Sequence, residues 1–327
     1  MASRQEQIKR LLELADKLEP KVSASFLASI ENIKSSITLK QIERLLIDGN
    51  YSQVIDLINF ELVNNQAAPL KDALTSATID GGLLTASMIK PFTNSQGVQV
   101  VVRFNVVNPQ LAQKVNDYQY RLIKAITDEQ RATIKSVLAE NLNLGINPLN
   151  TARDIRDSIG LTQYQNKAVL NFRRMLETKP SEALNRALRD KRFDRTIINS
   201  AAKNKDLTTE QIDKMVERYR QKYLKYRAET IARTESIRAL SESNKAVYDQ
   251  MVEQGQVSES EIKRFWHYAA DSKTRDWHRT IPRLNPEGVG LNEPFKTERG
   301  PLLYPCDPNG SASNTINCRC VVFTRII

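Results

Sequence analysis

The sequence predicts an α+β protein that is predominantly α-helical, and three observations carry that expectation. Apolar residues recur three or four positions apart through most of the chain, as helix faces require. A single run is dense in β-branched residues. Both histidines, both tryptophans and all three cysteines fall between Arg264 and Cys320, in a stretch broken by Gly, Pro and Asn. A long connecting helix is therefore expected to lead into a small, loop-rich C-terminal domain with a few strands. On these grounds the chain divides into an N-terminal helical region with a short β segment (1–110), a middle helical region (111–207), a long basic helix (208–255) and the C-terminal domain (256–327).

Composition narrows the class. At 327 residues the chain can bury more than one core. With 40% apolar and 26% charged residues it falls outside the disordered class. No stretch approaches the roughly 18 apolar residues of a membrane span, so no membrane partner is expected. The polar start, Met1-Ala2-Ser3-Arg4, lacks the apolar core of a signal peptide, which predicts a protein that stays in the cytoplasm or travels with an assembly. In that compartment the cysteines read as thiols or metal ligands before a disulfide framework.

Residues 4 to about 65 read as two or three short amphipathic helices. Ile8, Leu11, Leu12, Leu14 and Leu18 share one face, and Pro20 is expected to end the first helix. The texture changes at Gly81-Gly82. The Val-rich run from Gly97 to Val107, closed by Asn108-Pro109, predicts a strand, in a small internal sheet or as an exposed edge. Leu111 to about Asn143 is helical again. A short helix follows and ends at Gly160, and Thr162 with Gln165 forms a capping box for the next. This helix pair could present Asn171, Arg173 and Arg174 to DNA, but its shape is that of an ordinary packing unit.

Thr208 and Gln211 make a second capping box, opening a helix without Pro or Gly to about Glu253. At ~1.5 Å per residue it would span roughly 65–70 Å, and its thin apolar stripe suggests a strut. The net charge of +10 concentrates nearby: from Arg186 to Arg238, fifteen Lys or Arg stand against eight Asp or Glu, an excess of seven. Lys214, Arg218, Lys222 and Lys225 recur at helical spacing with Tyr219, Tyr223 and Tyr226 interleaved, and Arg220 and Arg227 lie to one side. Such a stripe can neutralise phosphates of double-stranded DNA without reading bases. The alternative is a solvated face paired with Asp213, Glu217 and Glu229.

The C-terminal stretch offers metal chemistry. A strand over Ile316–Phe323 would set Cys318 and Cys320 on one face, and His278 with Cys306 could complete a tetrahedral zinc site. Because Cys-x-Cys is not the usual Cys-x-x-Cys knuckle, a packed cluster of thiols and aromatics is favoured over structural zinc, and no cofactor is required. His267, His278, Asp271, Asp276, Glu293 and Asp307 could instead form a Mg²⁺-dependent nuclease site, although their spacings match no hydrolase motif. A buried network of Asp271, Arg275, His278 and Arg319 is the better use of these residues.

The wording itself is specific in combination. Ala232-Arg233-Thr234-Glu235 precedes Trp266-His267, Asp271-Ser272-Lys273-Thr274-Arg275, Trp277-His278 and finally Asn317-Cys318-Arg319-Cys320. This set resembles the phage Mu protein F-like family of minor head (head morphogenesis) proteins, and the stretch from Gly145 to Arg173 is similar to that family's middle region. Cys306 lies outside the pattern. The resemblance implies a structural, non-enzymatic minor capsid protein of a tailed phage, located inside the head near the portal vertex and in the host cytoplasm during assembly. Its implied partners are the portal protein, scaffold or major capsid protein, and packaged DNA, whose ejection it would influence. Arg233, Thr234, Glu235, Asp271, His278, Asn317, Cys318 and Cys320 would then define the C-terminal fold rather than a catalytic set. A metal-dependent nuclease acting through the His/Asp/Cys cluster is the competing reading.

Overall fold

A computed structural model describes residues 2–203 and 205–327. Among the described residues, helices hold 66% and the strands form two small sheets, so the protein is predominantly α-helical α+β, as expected. In chain order, α1 (Arg4–Ser35) leads to the short helices α2 (Leu39–Ile47), α3 (Tyr51–Asp56) and α4 (Phe60–Gln66), then α5 (Ala68–Met88). A hairpin of two-residue strands follows, β1 (Phe92–Thr93) with β2 (Gln99–Val100), and then α6 (Pro109–Asn143), α7 (Pro148–Ser158), α8 (Gln163–Thr178), α9 (Pro180–Ala183) and α10 (Asp194–Ala202). The long α11 (Thr209–Glu253) precedes β3 (Ile262–His267), the single turns α12 (Asp276–Arg279), α13 (Ile281–Leu284) and α14 (Ala312–Thr315), and β4 (Val321–Ile326).

The contacts separate two compact units. The first comprises Met1–Phe26, Pro69–Tyr118 and Glu229–Ile327. Its core joins Ile8, Leu11, Ala15 and Leu18 of α1 to Ile237 and Leu240 of α11 and to Trp266, Phe295, Leu302, Val322 and Phe323. Here α1 runs through Pro20, contrary to the expected break. Proline costs a helix interior ~3 kcal/mol, and burial of Leu18, Val22 and Phe26 on both sides of it offsets that cost. At Gly81-Gly82, where the sequence texture changes, the chain stays helical. Both lie within α5, where a Cβ on Gly81 would overlap Ser243 and Leu240 of α11 and one on Gly82 would overlap Phe104. The pair therefore permits close packing.

The Val-rich run contributes only Gln99 and Val100 to a strand, in the small internal sheet considered above. Val98, Val101, Val106 and Val107 stay exposed, because β1 is too short to extend the pairing. A strand that the pattern did not announce is β3, which pairs antiparallel with β4 from Ile262 opposite Ile326 to His267 opposite Val321. The C-terminal part of α11 is buried almost all round, with Ser236, Ser243 and Asn244 fully enclosed. Asn244 bridges Thr85 and Thr324 at 3.3 and 3.1 Å.

The second unit comprises Leu27–Ala68 and Gln119–Ala228. Its core joins Leu161, Val169, Phe172 and Leu176 to Ile197 and to Ile212, Met215, Val216 and Tyr219 of α11, with Phe172 stacked on Tyr219 at 4.1 Å. Both expected capping boxes form, at Thr162–Gln165 and Thr208–Gln211. The α7–α8 turn is held by polar side chains. Gln130 accepts from the Gly160 N–H at 2.7 Å and donates to Leu161 O at 3.0 Å, while Arg227 donates to Gly160 O at 2.7 Å and pairs with Glu129.

Gly160 has φ 94, and a Cβ there would overlap Ile30 and Leu224. Gly160→Ala is expected to lower unfolding free energy by about 2–4 kcal/mol, combining left-handed strain with overpacking. Gly49 has φ 71 and nothing near its absent Cβ, so Gly49→Ala should cost only about 1–2 kcal/mol. Urea titration of both variants checks this, and equal costs would refute the packing role of Gly160.

Candidate functional site

The C-terminal part of the first unit is organised around a buried arginine. Along β3, Ile262, Arg264 and Trp266 face inward. Arg264 is 1% exposed, and its guanidinium donates to three backbone carbonyls: Gly290 at 3.0 Å, Leu303 at 2.7 Å and Glu293. Burial pulls its pKa down to about 10. These bonds tie together loops with little regular structure of their own. Nothing in the local wording advertised Arg264, but an arginine on the apolar face of an alternating strand is the signal that could have found it.

The Arg-Thr-Glu segment of α11 holds two further loops. Thr234 accepts a 2.9 Å bond from the Asn317 N–H, and Arg233 donates to the Asn317 side chain at 2.6 Å. This fixes a residue in left-handed backbone, φ 63. Glu235 accepts from the Tyr118 hydroxyl and from Arg238 at 2.9 Å. Arg238 in turn donates to Cys306 O at 2.6 Å, holding the second left-handed residue, φ 62. The expected motif residues on the helix thus position the two cysteine-bearing loops.

Between those loops sits His278, on α12 and 1% exposed. Asn314 orients it. The Asn314 carbonyl oxygen lies 3.0 Å from Trp277 Nε1, which donates to it, and 2.9 Å from His278 Nε2. Its amide nitrogen faces Arg299 O at 3.4 Å. Nε2 therefore carries the proton, and the lone pair of Nδ1 faces Cys318 Sγ at 3.5 Å and Cys320 Sγ at 3.4 Å. Cys318 and Cys320 lie ahead of β4 rather than in a strand, because left-handed Asn317 turns the chain into the cluster.

Nδ1 and the two sulfurs lie within 4.8 Å of one another, and theirs is the one such group among the described residues that could hold a metal. Cys306 is not brought into it. Its thiol donates to Thr315 O at 3.3 Å instead. Cys318, beside the sulfurs of Cys306 and Cys320, is held well below the usual thiol pKa. Burial and the adjacent Cys318 push Cys306 up, and the adjacent Cys318 together with burial pushes Cys320 up.

The group forms one wall of a pocket of about 190 Å³, whose other lining includes Arg233, Asp271, Lys273, Arg275, Asn317 and Arg319. Asp271 caps its own loop, accepting from Lys273 N at 2.9 Å and Thr274 N at 2.8 Å, and Arg275 donates to Ile316 O. The expected buried network of Asp271, Arg275, His278 and Arg319 is therefore replaced by a shared pocket wall: Asp271 and Arg275 bond backbone groups, His278 bonds Asn314, and Arg319 is exposed. The other carboxylates of the nuclease reading are engaged elsewhere: Glu293 accepts from Gly290 N and Asp307 from Leu303 N, both at 2.7 Å. Asp276 is exposed, and His267 is half-buried at the end of β3, stacked beside Tyr268.

In the second unit, Lys214, Arg218, Lys222 and Lys225 all lie exposed on α11. Arg218 donates to Gln221 at 2.9 Å and Lys222 to Arg189 O at 2.9 Å. Of the interleaved tyrosines, Tyr219 is core and Tyr226 is exposed. Arg220 and Arg227 turn inward, to Asp157 at 3.0 Å and to Glu129. Asp213 pairs with Arg173 and Glu217 with Arg220 at 2.5 Å, so these two acids face partners other than the stripe.

Arg264→Lys is expected to lower the stability of the folded chain by about 3 kcal/mol or more, since an ammonium cannot reach three diverging carbonyls. Denaturant titration measures this, and a loss under 1 kcal/mol would remove Arg264 as the anchor.

No curated protein and no solved structure matches the chain. A sequence profile described as Phage Mu protein F like protein matches residues 132–323, more than half of the 327. That match takes in the α11 motif, the pocket and the cysteine pair, and with it the chain belongs to the phage Mu protein F-like family.

Proposed function

We propose that this protein is a minor capsid component of a tailed-phage head, acting in head morphogenesis at the portal vertex and touching packaged double-stranded DNA without reading its sequence. Family membership supports the head morphogenesis role. The observation that carries DNA contact is the exposed row of Lys214, Arg218, Lys222 and Lys225 on one face of α11. Charges at that spacing follow a phosphate backbone and carry no base code. The portal protein is the first expected partner, with scaffold or major capsid protein contributing during assembly. Inside the virion, the protein would face the DNA as it leaves.

Less supports the metal-dependent nuclease reading, for which Asp271 is the one carboxylate lining the pocket with His278. It needs carboxylates gathered beside a histidine to hold Mg²⁺, and Glu293 and Asp307 accept backbone N–H groups instead.

Binding to two unrelated duplexes should be equal and should weaken steeply with salt. Replacing Lys214, Arg218, Lys222 and Lys225 by Ala should flatten the slope of log affinity against log salt by up to about 3–4 units. An unchanged slope in a folded variant would remove α11 from DNA contact. Co-expression with the portal protein of the same phage should yield a complex of defined native mass, whereas separate elution of two folded proteins would refute the portal assignment.

A further inference from the structure

We propose that His278 Nδ1, Cys318 Sγ and Cys320 Sγ form a three-ligand zinc centre whose fourth position opens into the cationic pocket and takes water or a small oxyanion. The donor geometry carries the inference. Zinc sits at about 2.3 Å from thiolate and about 2.0–2.1 Å from imidazole, so tetrahedral angles put nitrogen and sulfur about 3.5 Å apart. The two N···S separations are 3.5 and 3.4 Å. Ordinary packing of a ring against two thiols does not require both sulfurs to converge on one nitrogen lone pair.

The surroundings agree with a ligating role. Asn314 accepts the Nε2 proton at 2.9 Å, fixing the tautomer that leaves Nδ1 free to ligate. The Cys320 N–H points at Cys318 Sγ at 3.4 Å, which stabilises a thiolate. All three ligands are buried to 2% exposure or less. Zn²⁺ held by two thiolates and a neutral imidazole has no net charge. Such a centre is cheap to bury.

Cys306 stays outside, bonded to Thr315 O at 3.3 Å, so the centre is not closed by a fourth protein ligand. The ligands line a pocket in which Arg233, Lys273, Arg275 and Arg319 outnumber Asp271. Glu19, 3.4 Å from Arg233, offsets one of those cations. The remaining positive charge favours an anionic fourth ligand, and three protein ligands with one open position is the arrangement of an exchangeable site.

Cobalt(II) titration of the reduced, full-length protein tests this. One equivalent should bind with thiolate-to-cobalt charge-transfer bands and tetrahedral d–d bands, zinc should displace it, and inorganic phosphate should shift the d–d bands. Cys306→Ala should retain the spectrum, Cys318→Ala should lose it, and Asn314→Ala should weaken affinity about 10–100-fold. A folded wild-type chain that takes up no cobalt would overturn the centre. Loss of the spectrum in folded Cys306→Ala would overturn the three-ligand set, and a spectrum indifferent to phosphate would overturn the oxyanion site.

Discussion

The C-terminal part of the first unit depends on one short segment of α11 that grips two loops by hydrogen bonds. Thr234 and Arg233 hold Asn317, and Glu235 acting through Arg238 holds Cys306. Both held residues are in left-handed backbone without being glycine, an arrangement that costs about 1–3 kcal/mol each. Hydrogen bonds to charged groups are worth about 1.5–3 kcal/mol. The grip is therefore large enough to offset the strain, and without it neither loop has enough regular structure to keep its conformation.

A second consequence of that design is that polar groups do the work usually left to apolar packing. Arg264 satisfies three carbonyls from separate loops, Gln130 and Arg227 close the turn at Gly160, and Asn244 links α5 to β4. Side chains of this kind specify one arrangement because an unsatisfied buried partner is costly. Single substitutions here should be felt more than truncations of exposed apolar residues such as Val107.

Much of the helical frame was legible in the sequence, because capping boxes and three-four spacing are local signals. Thr162–Gln165 and Thr208–Gln211 cap the helices they announce. Pro20 misled because its local meaning, a helix break, gave way to tertiary packing that no window of sequence contains. The buried C-terminal part of α11 was hidden for a related reason: serines and an asparagine line it, so its apolar stripe is thin although its burial is nearly complete. At the pocket, residue types identified His278, Cys318 and Cys320, but Asn314, Arg238 and Arg264 act through hydrogen bonds to distant partners and left no periodic trace.

The pairing of β3 with β4 sets a timetable for synthesis. Gln7 of α1 accepts from Thr324 N at 3.3 Å, and Ile8, Leu11 and Leu18 share their core with Val321, Val322 and Phe323. At the ribosome's pace of roughly 5–20 residues per second, about 15–60 s separate the appearance of these two segments. Throughout that interval the apolar face of α1 lacks the part of its native cover that β4 supplies. The first unit therefore completes its fold after translation of β4, and a nascent chain stalled before that point presents a hydrophobic helix to chaperones rather than a finished domain.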